Sequence, residues 1–375
     1  MANHYGKQVL PAAWASDLTF GDNVFVPIRV FLALLVIFSH SFILIQGTDA
    51  SEPLRRVSDL IFGEVAVNLF LAISGFLVTR SWDLSGSTRS YLAKRVRRVY
   101  PAFLVLMALQ AFILAPLVCS EAFHGYTLKQ LGIIAFDMAD LVGYGFPYGG
   151  LLLTTFTHNP FPGAMNGSLW TIRYEFICYL LLPLLGSWLR HSRICTGAFV
   201  AVLALYLSRW LPPWHFILTA VLGNVALWPR LLTYFLAGMT FYRLRHLIPQ
   251  SKVIALVSFL ILALTTLAWP WGVHVTLPTC GVYLLFYLAY FPPFQRLPRI
   301  LPGDPSYGIY LYGFPIQQTI VYLGYPNHLR SPYFLTLIAA VLATACGLAS
   351  WHLIEKRFVA RKPRQSANDD NLLLT

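Results

Sequence analysis

Runs of about 20 apolar residues recur along the whole chain, and no other feature limits its fold so strongly. A helix rises about 1.5 Å per residue, so each run is long enough to cross the roughly 30 Å hydrocarbon layer of a bilayer. Backbone N–H and C=O groups in hydrocarbon must be paired within the protein, which for runs of this length means helices. Composition agrees. Of 375 residues, 57% are hydrophobic and 11% charged, whereas a soluble domain carries about 25% charged residues. The reading is an all-α, polytopic membrane bundle of about ten helices, near 27–46, 61–81, 99–119, 168–187, 194–211, 228–246, 251–269, 272–291, 304–323 and 332–354. Trp82, Trp170, Trp188, Trp210, Trp269 and Trp271 fall near the ends of these runs, as interfacial aromatics do.

One transmembrane domain over residues 27–354 is expected, between a polar tail of residues 1–26 and a second tail of residues 355–375. The first span is expected to be an uncleaved anchor, since the residues ahead of it are polar and mixed. The region 120–167 is a long loop punctuated by Gly and Pro. Its piece 130–157 is apolar enough to be re-entrant or interfacial, and 214–227 raises the same question.

The net charge of +12 is a topology signal rather than a nucleic-acid footprint. One alternating set of loops holds Lys7, Arg80, Arg89, Lys94, Arg95, Arg97, Arg98, Arg190, Arg193, Arg243, Arg245, Lys252, Arg296, Arg299 and the cluster from Lys356 to Arg364. The other set holds Arg55, Arg56, Lys129, Arg209, Arg230 and Arg330. The positive-inside rule then places both termini in the cytoplasm, which favours an even number of spans. Cys119, Cys178, Cys195, Cys280 and Cys346 have no metal-like spacing and read as small buried hydrophobes, so no metal site is expected.

Ionisable groups inside spans are costly and mark candidate sites. Arg29 stands at the cytoplasmic mouth of the first span, and His40 follows eleven residues later. That spacing brings them within about 20° of one helix face and about 16 Å apart along the axis. Alone, Arg29 would read as snorkelling to lipid phosphates and His40 as a packed histidine. On one face they read as one wall at two depths. Glu175 counts to about 10 Å below the outer surface, the depth of His40, so the two are expected to meet unless Arg173 claims the carboxylate. Asn68 counts to the same level, while Ser74-Gly75 lies deeper and permits close helix contact or close approach of a ligand. Lys94, Arg95, Arg97 and Arg98 crowd ahead of the third span and, with Arg29, form a basic mouth suited to a polyphosphate.

These residues carry a resemblance. The chain resembles the membrane-bound acyltransferase-3 family, whose members O-acylate bacterial surface glycans. Arg29 and His40 match its Arg-x10-His motif. VAVNLFLAISGF matches a second element through Ser74, Gly75 and Phe76, and RVRRVYP matches a third through Arg95, Arg98 and Pro101. Leu169, Trp170, Glu175 and Tyr179 match a fourth, DPSYGIYLYGFPIQQ (Asp304 to Gln318) a fifth, and Ile354-Glu355 the closing element. Gly313 stands where many members have a histidine, which excludes a second catalytic histidine there. Arg357 replaces the usual proline after Glu355. The expected form is the stand-alone transmembrane domain.

The resemblance implies acyl-CoA, first of all acetyl-CoA, as a cytoplasmic donor substrate with no resident cofactor. The implied acceptor is an exopolysaccharide or lipopolysaccharide unit, reached at the bacterial inner membrane, with polysaccharide-assembly proteins as further partners. Arg29, Arg95, Arg97 and Arg98 would hold the CoA phosphates, His40 would be the general base oriented by Glu175, and Asn68, Ser74, Trp170 and Tyr310 would line the channel. A glycolipid transporter or flippase and a non-enzymatic scaffold are the other classes. Inverted repeats would favour the first of these, and none is visible.

Overall fold

The computed structural model describes residues 25–119, 127–141, 155–210, 222–290, 303–324 and 331–359. Regular structure among them is helical, apart from an isolated bridge between Cys119 and Thr155. The helices are α1 (Phe25–Gln46), α2 (Phe62–Asp83), α3 (Thr88–Val118), α4 (Leu128–Asp140), α5 (Trp170–Leu189), α6 (Ser192–Ser208), α7 (Trp228–Leu244), α8 (Lys252–Ala268), α9 (Pro270–Ala289), α10 (Ser306–Gly324) and α11 (Pro332–Val359). All ten predicted spans coincide with helices, and α1, α2, α3, α5, α9 and α11 are each long and apolar enough to cross a bilayer.

The sequence places the third span about ten residues too late. Helix α3 begins at Thr88, with Ser87 as its cap accepting from the Ser90 amide at 3.2 Å. Apolar runs mark the part of a helix in lipid, and the basic turns of α3 extend beyond it. The 130–157 segment resolves in part into α4, whose Leu128, Leu131 and Phe136 are exposed. Residues 142–154, most of 214–227 and most of both tails lie outside the described residues.

Outward faces are apolar. Helix α8 buries Ala255 and Ser258 but exposes Val253, Leu256, Phe259, Leu260, Leu264 and Leu267. Such a surface is unsustainable in water and suits acyl chains.

Helices α2 and α7 cross at glycines. A Cβ on Gly75 would collide with the Phe235 carbonyl, and one on Gly238 with the Ala72 carbonyl. The two backbones therefore touch, as small residues allow between membrane helices. Gly75 thus serves packing, while its neighbour Ser74 is turned towards α5.

Ion pairs sort the helix ends in accord with the alternation of spans. Arg29–Asp304, Arg98–Asp304, Arg98–Glu355 and Arg243–Asp83 gather at the arginine-rich end. Arg55–Asp49, Arg230–Glu64 and His274–Asp59 gather at the opposite end.

Replacing Gly238 with Val should force the α2–α7 backbones apart and cost more than about 3 kcal/mol, beyond ordinary overpacking. Thermal unfolding in detergent checks this, with Gly197→Ala, where an added Cβ meets open space, as the tolerated control. An unchanged melting temperature for Gly238→Val would contradict the crossing.

Candidate active site

At the arginine-rich end, four chain segments meet through charge. Arg29 of α1 binds Asp304 Oδ2 at 2.7 Å, and Arg98 of α3 binds the same oxygen at 2.6 Å. Arg98 also reaches Glu355 Oε2 at 3.2 Å. Ser306 donates to Asp304 Oδ1 at 2.6 Å, and Ser350 donates to Glu355 Oε1 at 3.0 Å. Both carboxylates are almost sealed from solvent, their side chains 4% and 1% exposed. Glu355 ends a π-helical turn of α11, Trp351–Glu355, and is buried beside Arg98.

Directly above this network lies a cavity of about 120 Å³ between α2, α3, α5 and α10, with Arg29 of α1 in its wall. Arg95 and Arg98 contribute further charge, and Ser74, Thr171, Glu175, Tyr179, Ser306, Tyr307 and Tyr310 contribute polar groups to an otherwise apolar lining. Ser74 and Tyr179 both donate short hydrogen bonds to Glu175 Oε1. Arg95 bonds Ser81 Oγ at 3.2 Å and lies over the Tyr179 ring at 5.8 Å. The Tyr310 hydroxyl pairs with Thr171 Oγ1 at 2.6 Å and donates to the Ser168 carbonyl. Arg29, Arg95, Arg98, Ser74, Glu175 and Tyr310 are therefore brought to one place.

Other residues singled out from the sequence lie elsewhere. His40 packs edge-on against Phe314, ring centroids 5.2 Å apart, and its Nδ1 is buried without a hydrogen-bond partner. Phe314 is one turn beyond Tyr310 on α10, so His40 sits about 6 Å outward of the cavity lining. No hydrogen bond or ion pair joins His40 to Glu175, contrary to the depth argument. Counting residues gives a level in the membrane but no azimuth, and at that level Glu175 faces α2. Asn68 is fully buried but does not line the cavity. Its neighbours Val67, Phe70 and Leu71 do. Trp170 packs against Tyr174 at the start of α5, and Arg97 is exposed on the outer face of α3. Neither lines the cavity. At Gly313 an added Cβ would meet the Ile37 side chain of α1 at 2.8 Å, so a larger residue would require Ile37 to shift.

Asp304 and Glu355 appeared in the sequence only as motif positions, and their pairing with Arg29 and Arg98 was missed. A signal for them existed. Arginines at the base of a membrane bundle need counter-charges, and few acids lie near span ends on the arginine-rich side. Tyr179 and Tyr307 were likewise present only as motif positions, with no charge argument to place them at the cavity.

Residues 155–169 seat the region around His40. Asn159 Nδ2 donates to the Gln318 side-chain oxygen at 2.7 Å, and Gln318 Nε2 donates to the Phe161 and Ala164 carbonyls at 2.8 and 2.9 Å. Asn166 bonds the Leu311 carbonyl at 2.9 Å, and Gln317 bonds the Ile37 carbonyl of α1 at 2.7 Å. Irregular chain within the bundle is thereby paired against α10, whose next turns carry Phe314 and Tyr310.

A family model described as an acyltransferase domain matches residues 28–352. The chain is 28% identical over 352 residues to an O-acetyl transferase of Shigella phage Sf6, covering 91% of this chain and 97% of that protein. It is 30% identical over 362 residues to Nodulation protein 10 of Rhizobium leguminosarum bv. viciae, covering 89% and 92% respectively. No solved structure matches. The matched residues run from the base of α1 to the π-turn of α11 and include Arg29, His40, Ser74, Glu175 and Asp304. This chain belongs to the acyltransferase-3 family and is a membrane acyltransferase.

Proposed function

We propose that the protein transfers an acetyl or other short acyl group from cytoplasmic acyl-CoA to a hydroxyl of a cell-surface glycan, an exopolysaccharide or lipopolysaccharide unit, at the bacterial inner membrane. The observation that carries this reading is one wall of α1. Arg29 borders a cavity containing two further arginines, and an unpartnered His40 nitrogen stands farther along the same helix face. The arginine-rich end is then cytoplasmic, by the positive-inside rule, and both termini lie on that side. Arg95, Arg29 and Arg98 receive the CoA phosphates, and Arg97, on the outer face of α3, adds only to the field at the mouth. The resemblance to an O-acetyl transferase favours acetyl as the group and a hydroxyl as the acceptor.

Glu175 takes a different part from the one its depth suggested. By accepting from both Ser74 and Tyr179, it turns their oxygen lone pairs outward as acceptors, a fitting complement to the amide N–H groups of a pantetheine arm. The arm passes Tyr310 to bring the thioester carbon near His40, about 16 Å along α1 from Arg29. His40 takes the proton of the acceptor hydroxyl while that oxygen attacks the carbonyl carbon. The carbon–sulfur bond breaks, and the CoA thiolate leaves to be protonated. Passage requires Phe314 and the Tyr310–Thr171 contact to move.

Protein in lipid nanodiscs, given radiolabelled acetyl-CoA and purified candidate glycans, should transfer label to the glycan. His40→Ala should lower turnover at least roughly a hundredfold while leaving insertion and unfolding unchanged, the scale of a lost general base. Near-normal transfer by His40→Ala would sink the mechanism, and movement of glycolipid without acylation would identify a transporter. Ser74→Ala and Glu175→Gln should act mainly on the donor, raising its KM about tenfold, the loss of one neutral hydrogen bond to the arm. A change confined to the acceptor KM would contradict the place given to Glu175.

A further inference from the structure

Two buried acids stand beneath the cavity and outside its lining. Asp304 and Glu355 are nearly inaccessible, touch no part of a substrate path, and are each held by a serine hydroxyl. Their other bonds go to the two arginines that border the cavity near its base. Asp304 stands between Arg29 and Arg98, two guanidinium groups that would otherwise repel each other, and Glu355 takes a second edge of Arg98. The network does not exhaust the donors of the arginines. Arg29 Nε is buried with no acceptor, and Arg95 Nε, in the same cavity wall, is buried with none either. A protein-lined space bordered by three guanidinium groups suits an anion with several acceptor oxygens.

We infer that Asp304 and Glu355 are positioning residues for a diphosphate subsite: they fix Arg29 and Arg98 side by side, so that these two, with Arg95, grip the diphosphate of the donor. This rests on the acyl-CoA reading and deepens it. It assigns a task to two acids that come from segments remote in sequence, one ahead of α10 and one in the π-turn of α11. The arrangement also explains why two of the acids buried at this end lie beside arginines that border the cavity. A guanidinium anchored along one edge presents its remaining N–H groups in a defined plane, whereas an unanchored one at the mouth would swing to solvent.

The test compares two donors in the purified, lipid-embedded enzyme: acetyl-CoA, and S-acetyl-pantetheine, which keeps the thioester arm and lacks every phosphate. Asp304→Asn and Glu355→Gln should each raise the KM for acetyl-CoA at least roughly tenfold, the loss of an oriented charge-assisted bond. Their kcat/KM for S-acetyl-pantetheine should change by less than about threefold, within the range of a weak neutral contact. Asp304→Glu should restore part of the acetyl-CoA KM. Asp304→Asn strands two guanidinium groups and risks misfolding. Glu355→Gln loosens only one and keeps the test open, with a monodisperse elution profile required of each variant. Equal losses with both donors would show that the acids merely hold the helices together and would overturn the inference. A lower KM for acetyl-CoA would show carboxylates competing with the phosphates and would overturn it as well. If the unaltered enzyme used both donors equally well, the acyl-CoA reading itself would fall, and the inference with it, a result visible before any variant is made.

Discussion

Two arginines share one buried carboxylate at the base of the bundle, and the geometry of the cavity depends on that contact. Stranding a charge by removing its partner costs about 3–5 kcal/mol in a protein interior, and a bilayer is no more forgiving. Asp304 meets Arg29 and Arg98 together, so α1, α3 and the start of α10 cannot shift independently without paying that penalty. Glu355 extends the constraint to α11. Motifs spread from residue 29 to residue 355 thus converge on one charge cluster. The cavity is the space enclosed once these segments are tied at their base.

A second constraint fixes the opposite wall. The glycine crossing of α2 on α7 brings their backbones into contact and leaves α2 little freedom to rotate. With Gly75 committed to α7, Ser74 must point about 100° away, and there it meets Glu175 and Tyr179 of α5. An adjacent Ser-Gly pair thereby divides its labour between packing and chemistry. Phe76, the next residue, joins an aromatic cluster with Phe25, Phe241 and Phe286, the last two stacked at 4.3 Å, which seals the inner end between α1, α2, α7 and α9.

Sequence patterns revealed the helices because hydrocarbon accepts little else, and a helix stands at each predicted span, six of them long and apolar enough to cross a bilayer. They also placed Arg29, Arg95 and Arg98 correctly at one end, since loop charge reports the side of the membrane. The partner of Glu175 was not legible. Depth in the bilayer follows from counting residues, but which neighbour a side chain faces depends on how helices rotate and tilt, and the α2–α7 contact decides that. Asn68 is fully buried and does not line the cavity, for the same reason. Asp304 and Glu355 escaped because each stands at a helix end, where an acid ordinarily reads as a solvated terminus. Residues 155–169 could not be placed either, since an irregular segment within the bundle is held by Asn159, Asn166, Gln317 and Gln318 across long separations.

On the proposed mechanism the donor enters from the arginine-rich end and lies along α1, with charge at its base and chemistry at His40. A cryo-EM map of the nanodisc-embedded protein with a non-transferable thioether analogue of acetyl-CoA tests this most directly. The account predicts diphosphate density against Arg29, Arg95 and Arg98, and the sulfur position within reach of His40, with Phe314 displaced from its present place. Analogue density at the opposite end of the bundle, or a sulfur left on the far side of Tyr310 from His40, would contradict it.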